Sequence, residues 1–211
     1  MLRTCFIASL LALTSGCALL TKADPLVPRY YTPETLEVPD VAPVASAGAA
    51  GLSIRLGRIG GSSYLKERIA YRDSDHEVGF YEDKRWTERP EVYLLRAMER
   101  ALYEERGLKR ALASSAPTLT ADLVEFEEVR TGAPRVRLRV SYALHDEQTV
   151  FRERSLSVER PIAAGPDASR TDRVAAALGD ALHEVVKSIV DEVVADLAAQ
   201  RAQSAQPANP T

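Results

Sequence analysis

The chain has 211 residues, with 27 lysines and arginines against 30 aspartates and glutamates and a formal net charge of −3. That balance lacks the basic excess that nucleic-acid binding draws on, so no nucleic-acid partner is expected. Hydrophobic residues make up 45% of the sequence, enough for one core, and the two cysteines give no disulfide framework to stand in for it.

The first seventeen residues read as an export leader followed by a lipidation cysteine. Arg3 precedes an apolar run from Phe6 to Leu13. This run is shorter than the roughly 20 residues of a membrane-spanning helix and has the length of a signal-peptide core. Leu13-Thr14-Ser15-Gly16-Cys17 follows, small residues ending in a cysteine. The segment resembles the lipobox of bacterial lipoproteins. The resemblance implies cleavage after Gly16, a diacylglycerol on the Cys17 thiol and acylation of the new amine, palmitate being the usual kind of acyl group. Cys5 leaves with the leader, so the mature chain has no thiol pair. No other apolar run approaches a spanning helix, which leaves the lipid to hold the protein at the membrane. Each buried CH₂ contributes about 0.8 kcal/mol, and two or three chains make a stable anchor where one is marginal. The expected organisation is a signal peptide (1–16), a lipidated tether (17–28), one domain (29–201) and a disordered tail (202–211).

Arg29-Tyr30-Tyr31-Thr32 predicts a short strand, and the proline-, alanine- and glycine-rich stretch from Pro33 to Gly51 an irregular loop. Leu52 to Leu56 alternates apolar and polar, as a half-buried strand does, and Gly60-Gly61-Ser62-Ser63 reads as a break. Glu67 to Arg72 and Glu77 to Glu82 predict a hairpin around Asp73-Ser74-Asp75-His76. A helix starts near Pro90, where a first-turn proline costs no hydrogen bond, and stops at Gly107. Its predicted stripe is Val92, Leu95, Met98 and Leu102, widened by Leu94 and Ala101.

After Pro117 the strands resume. Val124 and Phe126 alternate with Glu125 and Glu127, and Val136, Leu138, Val140, Tyr142 and Leu144 alternate with Arg135, Arg137, Arg139, Ser141 and Ala143. Val150 to Arg160 predicts a further strand whose pattern breaks after Phe151, the mark of a bulge. A long helix from about Thr171 to Gln200 closes the chain. Ser169 and Asp172 resemble a capping box, and Val174, Leu178, Leu182, Val185, Ile189, Val193 and Leu197 form its stripe, broadened by Val186, Val190 and Val194. At 1.5 Å per residue it spans about 45 Å, wider than a small sheet, so an overhang or a contact with a second subunit is expected. The fold class is α+β: a mostly antiparallel sheet with two helices, about 90–106 and 171–200, packed on one face.

Catalytic chemistry is hard to find. His76, His145 and His183 lie far apart and in no metal-binding spacing, no nucleophile elbow or phosphate loop is present, and no free thiol survives lipidation. Neither an enzyme, a cofactor nor a metal is predicted. Arg135, Arg137 and Arg139 would point to one side of their strand, as a phosphate site would need. Neighbouring Glu125, Glu127, Glu153 and Glu159 explain them better as cross-strand ion pairs. Tyr64, Tyr71, Phe80, Tyr81 and Trp86 read as core and rim before a groove.

One segment goes beyond generic pattern. Tyr64 to Leu102 reads YLKERIAYRDSDHEVGFYEDKRWTERPEVYLLRAMERAL. It resembles the ABC-type transport auxiliary lipoprotein family, with Arg68, Ile69, Tyr71 and Arg72 in one strand, then Tyr81, Arg85 and Trp86, then the helix led by Pro90. Asp24-Pro25 and Tyr30-Tyr31-Thr32 resemble the family's opening. The resemblance implies a non-enzymatic lipoprotein in the cell envelope, facing the periplasm. Its implied partners are a mammalian-cell-entry (MCE) domain protein with an ABC permease and ATPase, an assembly that moves lipid between membranes. Ala18 rather than aspartate after Cys17 points to the outer membrane under the enteric sorting rule. Self-association, a structural role in envelope assembly and a small-ligand or lipid carrier stay open as alternatives.

Overall fold

Period-two alternation predicts its strand faithfully. Arg135–His145 is one strand, and Val136, Leu138, Val140, Tyr142 and Leu144 are all buried on one side of it. In the computed structural model, which describes residues 25–34, 51–113 and 115–204, the strands are β1 (Arg29–Tyr31), β2 (Ser53–Gly61), β3 (Arg68–Arg72), β4 (Val78–Trp86), β5 (Lys109–Arg110), β6 (Thr118–Val129), β7 (Arg135–His145) and β8 (Val150–Pro161). Helix α1 (Pro90–Glu99) runs on into a wider π-helical turn (Arg100–Glu105), and helix α2 (Arg170–Ser204) follows a short 3₁₀ turn at Asp167–Ser169. The leader, Cys17 and the first part of the tether lie outside the described residues.

The class is α+β, and the eight-stranded sheet is mixed. Its longest ladders, β6 with β7 and β7 with β8, are antiparallel, as is β3 with β4. The pairings of β1 with β4, β2 with β5, β2 with β6 and β3 with β6 are parallel. The twelve-residue β6 is the spine. Strand β7 runs along one of its edges, and the other edge is shared end to end by β2, opposite Arg55–Gly61, and β3, opposite Ala70–Arg72. The expectation of a mostly antiparallel sheet thus holds for the C-terminal meander and is corrected for the N-terminal half. There the chain returns to β6 from a distance, through connections that a local pattern does not encode.

Three further expectations are corrected. Strand β2 continues through Gly60 and Gly61 instead of breaking; Gly57 and Gly60 lie close against β6, and Gly61 against Glu91 of α1. A Cβ on Gly60 would lie 2.1 Å from Asp122 Oδ1, and one on Gly57 2.8 Å from Thr118 Cγ2. Val124 is no core residue. It is the extra residue of a bulge between the pairs Leu123–Val140 and Glu125–Arg139, so Leu123 is buried before it and Phe126 after it. On helix α1 and the turn after it, Leu94, Met98, Ala101 and Leu102 of the predicted stripe are buried, but Tyr93 takes the core place expected for Val92 and Leu95, which lie at the margin.

Both helices pack on the face that carries the β7 apolar row, α1 against β2 and β6 and α2 against β7 and β8, and the two touch each other. The α2 stripe is buried throughout, from Val174 to Leu197, with Val186 and Val190 beside it. Gly179 is the notch on this helix, since a Cβ there would sit 2.2 Å from the Pro33 carbonyl oxygen that crosses it. The end of α2 does not simply overhang: Leu197 is buried and Arg201 lies over Gly51, a residue with φ of +83°. The Ser169 hydroxyl forms no capping box. It donates to the Pro166 carbonyl at 3.2 Å and accepts from Arg173 at 2.5 Å. Of the predicted tail, Ala202–Ser204 are helical and 205–211 lie outside the described residues.

At the centre of the core, Trp86 is 1% exposed and meets Phe126 at 5.3 Å and Tyr93 at 6.2 Å between ring centroids. Trp86→Ala should cost about 3–5 kcal/mol, read as a lower urea midpoint; a midpoint close to wild type would mean that the ring is not a core element.

Candidate functional site

The two faces of the sheet differ in chemistry. One is covered by the helices; the other is open and carries the arginine ladder. Arg135 and Arg137 both donate to Glu159, at 2.8 and 2.7 Å, and Arg139 lies 3.1 Å from Glu125. The ladder is therefore a set of cross-strand ion pairs, as its neighbours suggested. The Arg137 hydrogen bond, helped by Arg135, holds the Glu159 carboxyl below the usual carboxylate range. Glu153 takes no part; with Thr120, Asp122, Ser141, Ala143 and Ser155 it lines a shallow depression of about 340 Å³.

Glu127, expected on this ladder, pairs elsewhere. It is fully buried, and so is its neighbour Glu128. Consecutive strand residues point to opposite faces, so each carboxylate requires partners of its own. On the open face Arg72 of β3 reaches Glu127 at 2.7 Å, and the Tyr64 hydroxyl lies 3.2 Å from both Glu127 and the Val124 carbonyl of the bulge. On the helix face Glu128 accepts from the Tyr81 hydroxyl at 2.5 Å, from Arg170 at the start of α2 at 2.8 Å and from Arg130 at 3.3 Å. Burial, then the neighbouring carboxylates, push the Tyr64 hydroxyl well above the usual tyrosine range, and burial with the Glu128 hydrogen bond raises Tyr81. Arg130 also lies over the Tyr71 ring at 3.4 Å, and Tyr71 meets Tyr81 edge-on at 5.4 Å.

The clustered aromatics are thus divided between core (Trp86) and the walls of this charge network (Tyr64, Tyr71 and Tyr81), with Phe80 under Arg68 at 5.7 Å. The histidines stay apart: His76 and His183 are exposed, and His145 contacts the Asp146 carbonyl at 3.0 Å. Among the described residues no group of histidine, cysteine, aspartate and glutamate is arranged to hold a metal ion, and no helix is long and apolar enough to cross a membrane. Two groupings were missed from sequence. One is the bracket that ties β7 and β8 to α2, in which Tyr142 and Arg154 reach Glu192 and Arg152 reaches Asp196. The other is a basic cleft of Lys66, Arg68, Arg85 and Arg89. The Glu127-Glu128 doublet was a usable signal for the buried network, because two successive carboxylates put one on each face of a central strand.

A family model described as ABC-type transport auxiliary lipoprotein component matches residues 35–190. The chain belongs to this family. That membership makes it a lipoprotein of the cell envelope, auxiliary to an ABC transporter. Protein XCC0632 of Xanthomonas campestris shares the fold at a TM-score of 0.69 and 20% identity, covering 83% of this chain and 99% of its own. The hypothetical protein CT253 of Chlamydia trachomatis matches at 0.51 and 9% identity, over 70% and 98% of the two chains. No curated protein matches significantly. The family segment seen in the sequence can now be located: Arg72 and Tyr81 hold the buried glutamates, Trp86 fills the core, and Arg85 donates to the carbonyls of Tyr81, Glu82 and Lys84. These residues build the fold.

Removing one partner of a buried pair leaves an uncompensated charge. Arg72→Ala should therefore cost about 3–5 kcal/mol, and Arg72→Met with Glu127→Leu should recover much of it; equal loss in both variants by denaturant melts would show that the pair is not the unit. Glu159, with a depressed folded-state pKa, stabilises above the unfolded value of about 4.3 and loses that contribution as pH falls through the folded one. Glu159→Gln should cost at most about 1 kcal/mol at neutral pH, and its difference from wild type should vanish in acid.

Proposed function

We propose that the chain is a non-enzymatic, lipid-anchored component of an intermembrane lipid transport system, facing the periplasm from the outer membrane. In this reading its partner is an MCE-domain protein with its ABC permease and ATPase. The observation that carries it is the family match across residues 35–190, joined to the lipobox ending at Cys17. Cys17 supplies the anchor and the following residues give reach, while the sheet-and-helix domain supplies a rigid surface to the transporter.

The chemistry of the surface favours docking over cargo carriage. A site for an acyl chain is lined mainly by apolar groups. The open-face depression has a mixed lining, with Thr120, Asp122, Ser141, Glu153, Arg154 and Ser155 beside Ala121, Tyr142 and Ala143, and the helix face is filled by Leu, Val, Ile and aromatic side chains. The conducting part then belongs to the partner, and this chain holds that partner at a membrane.

Affinity purification of the full-length protein from gently solubilised membranes should recover the MCE protein, permease and ATPase together. Recovery of an outer-membrane export machine or of cell-wall partners in their place would overturn the transport role. Cys17→Ala should move the protein from the membrane to the soluble fraction, and the intact mass of wild type should show a diacylglycerol on Cys17. An unmodified cysteine in membrane-bound protein would refute the anchor.

A further inference from the structure

The tether enters the domain at β1, and the side of the sheet it enters has an unusual surface. Tyr31 and Trp86, paired in register, are both buried in the core. The preceding pair, Tyr30 and Arg85, therefore faces the other way, and Arg68 of β3 is in register with Arg85 on its far side. Around Arg85 lies a cleft of about 350 Å³ lined by Lys66, Glu67, Arg68, Arg85 and Arg89. Four cations and one carboxylate line it, with Glu91 paired to Arg89 beside it, in a chain whose net charge is −3.

The guanidinium groups are fixed in place with donors to spare. Arg85 uses Nη1 on three backbone carbonyls, and Arg68 uses Nε on the Tyr81 carbonyl. Among the described residues these bonds leave Nη2 of both free, each guanidinium having five N–H donors. Arg89 pairs with Glu91 at 2.8 Å and stays half exposed. Lys66 is exposed and has no ion-pair partner among the described residues. Such fixed forks suit phosphate oxygens.

In the residues that lead into β1, Leu26 and Val27 are 57% and 74% exposed, and Tyr30, in register with Arg85 of the cleft, is 62% exposed. Three of the five exposed large hydrophobic residues of the described chain thus fall within one five-residue stretch. That stretch lies next to the anchor: seven residues separate Cys17 from Pro25, which keeps Pro25 within about 30 Å of the cysteine even at full extension. Aromatic and aliphatic side chains flanked by cations are the composition of a surface that sits in the headgroup region of a bilayer.

We propose that the cleft of Lys66, Arg68, Arg85 and Arg89 receives the phosphate of an anionic phospholipid headgroup while Leu26, Val27 and Tyr30 rest at the same bilayer surface. The domain then lies in a fixed orientation on the membrane that holds it, with its opposite end turned to the transporter. This rests on the proposal that Cys17 is the anchor, but the cleft is tested without the acyl chains. Every described strand, both described helices and the described core lie within residues 29–204, so the chain from residue 17 onward, carrying Cys17→Ala, keeps all of them.

The assay is flotation of that protein with vesicles of phosphatidylcholine alone and of phosphatidylcholine mixed with phosphatidylglycerol. Binding should require phosphatidylglycerol and weaken as salt rises. Lys66→Glu with Arg89→Glu should lower the affinity tenfold or more, given about fivefold for each basic residue at an anionic surface. Arg100→Glu with Arg110→Glu, the same charge change on exposed residues elsewhere, should bind as the parent does. Equal binding to both vesicles, equal loss in the two double variants, or an undiminished cleft variant would each overturn the proposal. Displacement by inorganic phosphate at an ionic strength that sodium chloride leaves harmless would also overturn it, in favour of a soluble anion site. None of these outcomes depends on acylation, which the intact mass of the native protein decides separately.

Discussion

Two adjacent carboxylates with no access to water organise this domain. Ionised groups of this kind cost several kcal/mol each unless they are paired and hydrogen-bonded, and Glu127 and Glu128 point to opposite faces of the same strand. Their partners must come from both sides of the sheet: Arg72 from β3 on the open face, Tyr81 from β4 and Arg170 from α2 on the other. Satisfying the doublet therefore requires β3, β4, β6 and the start of α2 to be in place together. It also sets the register of the short parallel pairing that joins β3 to β6. A slip of one residue would turn Arg72 to the helix face and leave Glu127 buried without its cation.

The same division of charge runs through the rest of the sheet. The open face spends its arginines on neighbouring glutamates, and β8 uses its helix-facing arginines to hold α2, through Glu192, Asp196 and, from Arg160, Glu184. Strand β8 thereby forms an edge studded with charge and interrupted by the bulge at Phe151, two devices that discourage pairing with another strand. The basic cleft near the tether departs from this economy, since its cations outnumber the carboxylates around them. A family role beside an ABC transporter is consistent with a domain whose interior is occupied and whose distinctive chemistry lies on its surface.

What the sequence made legible follows from the range of the interactions. The apolar row of β7, the bulge at Phe151, the hairpin of β3 and β4, the long α2 stripe and the helix stop at Gly107 all depend on residues a few positions apart. Trp86 in the core and the pairing of Arg135, Arg137 and Arg139 with glutamates were also accessible, since large aromatics are usually buried and opposite charges on adjacent strands attract. Parallel pairing was not. Nothing near Ser53 states that it will run beside Thr118, and Gly60 looked like a break when it is a point of close approach. The bulge at Val124 reversed the inside and outside of β6, and Tyr93 of α1 took the core place read for Val92 and Leu95. The position read as the anchor, Cys17, lies outside the described residues and rests on the lipobox pattern.

The shared edge of β6 has a consequence for the order in which the chain can fold. Strands β2 and β3 find their hydrogen-bond partners some sixty residues downstream, whereas β6, β7, β8 and α2 form a sequential set closed by short turns. A chain delivered from its N-terminus exposes β1 to β5 before the strand that completes them has emerged. The C-terminal half should nucleate first and act as the template on which the waiting half is laid. Premature truncation anywhere before Val129 would leave not a smaller domain but a set of unpaired strand edges, the kind of species that chaperones are required to shield.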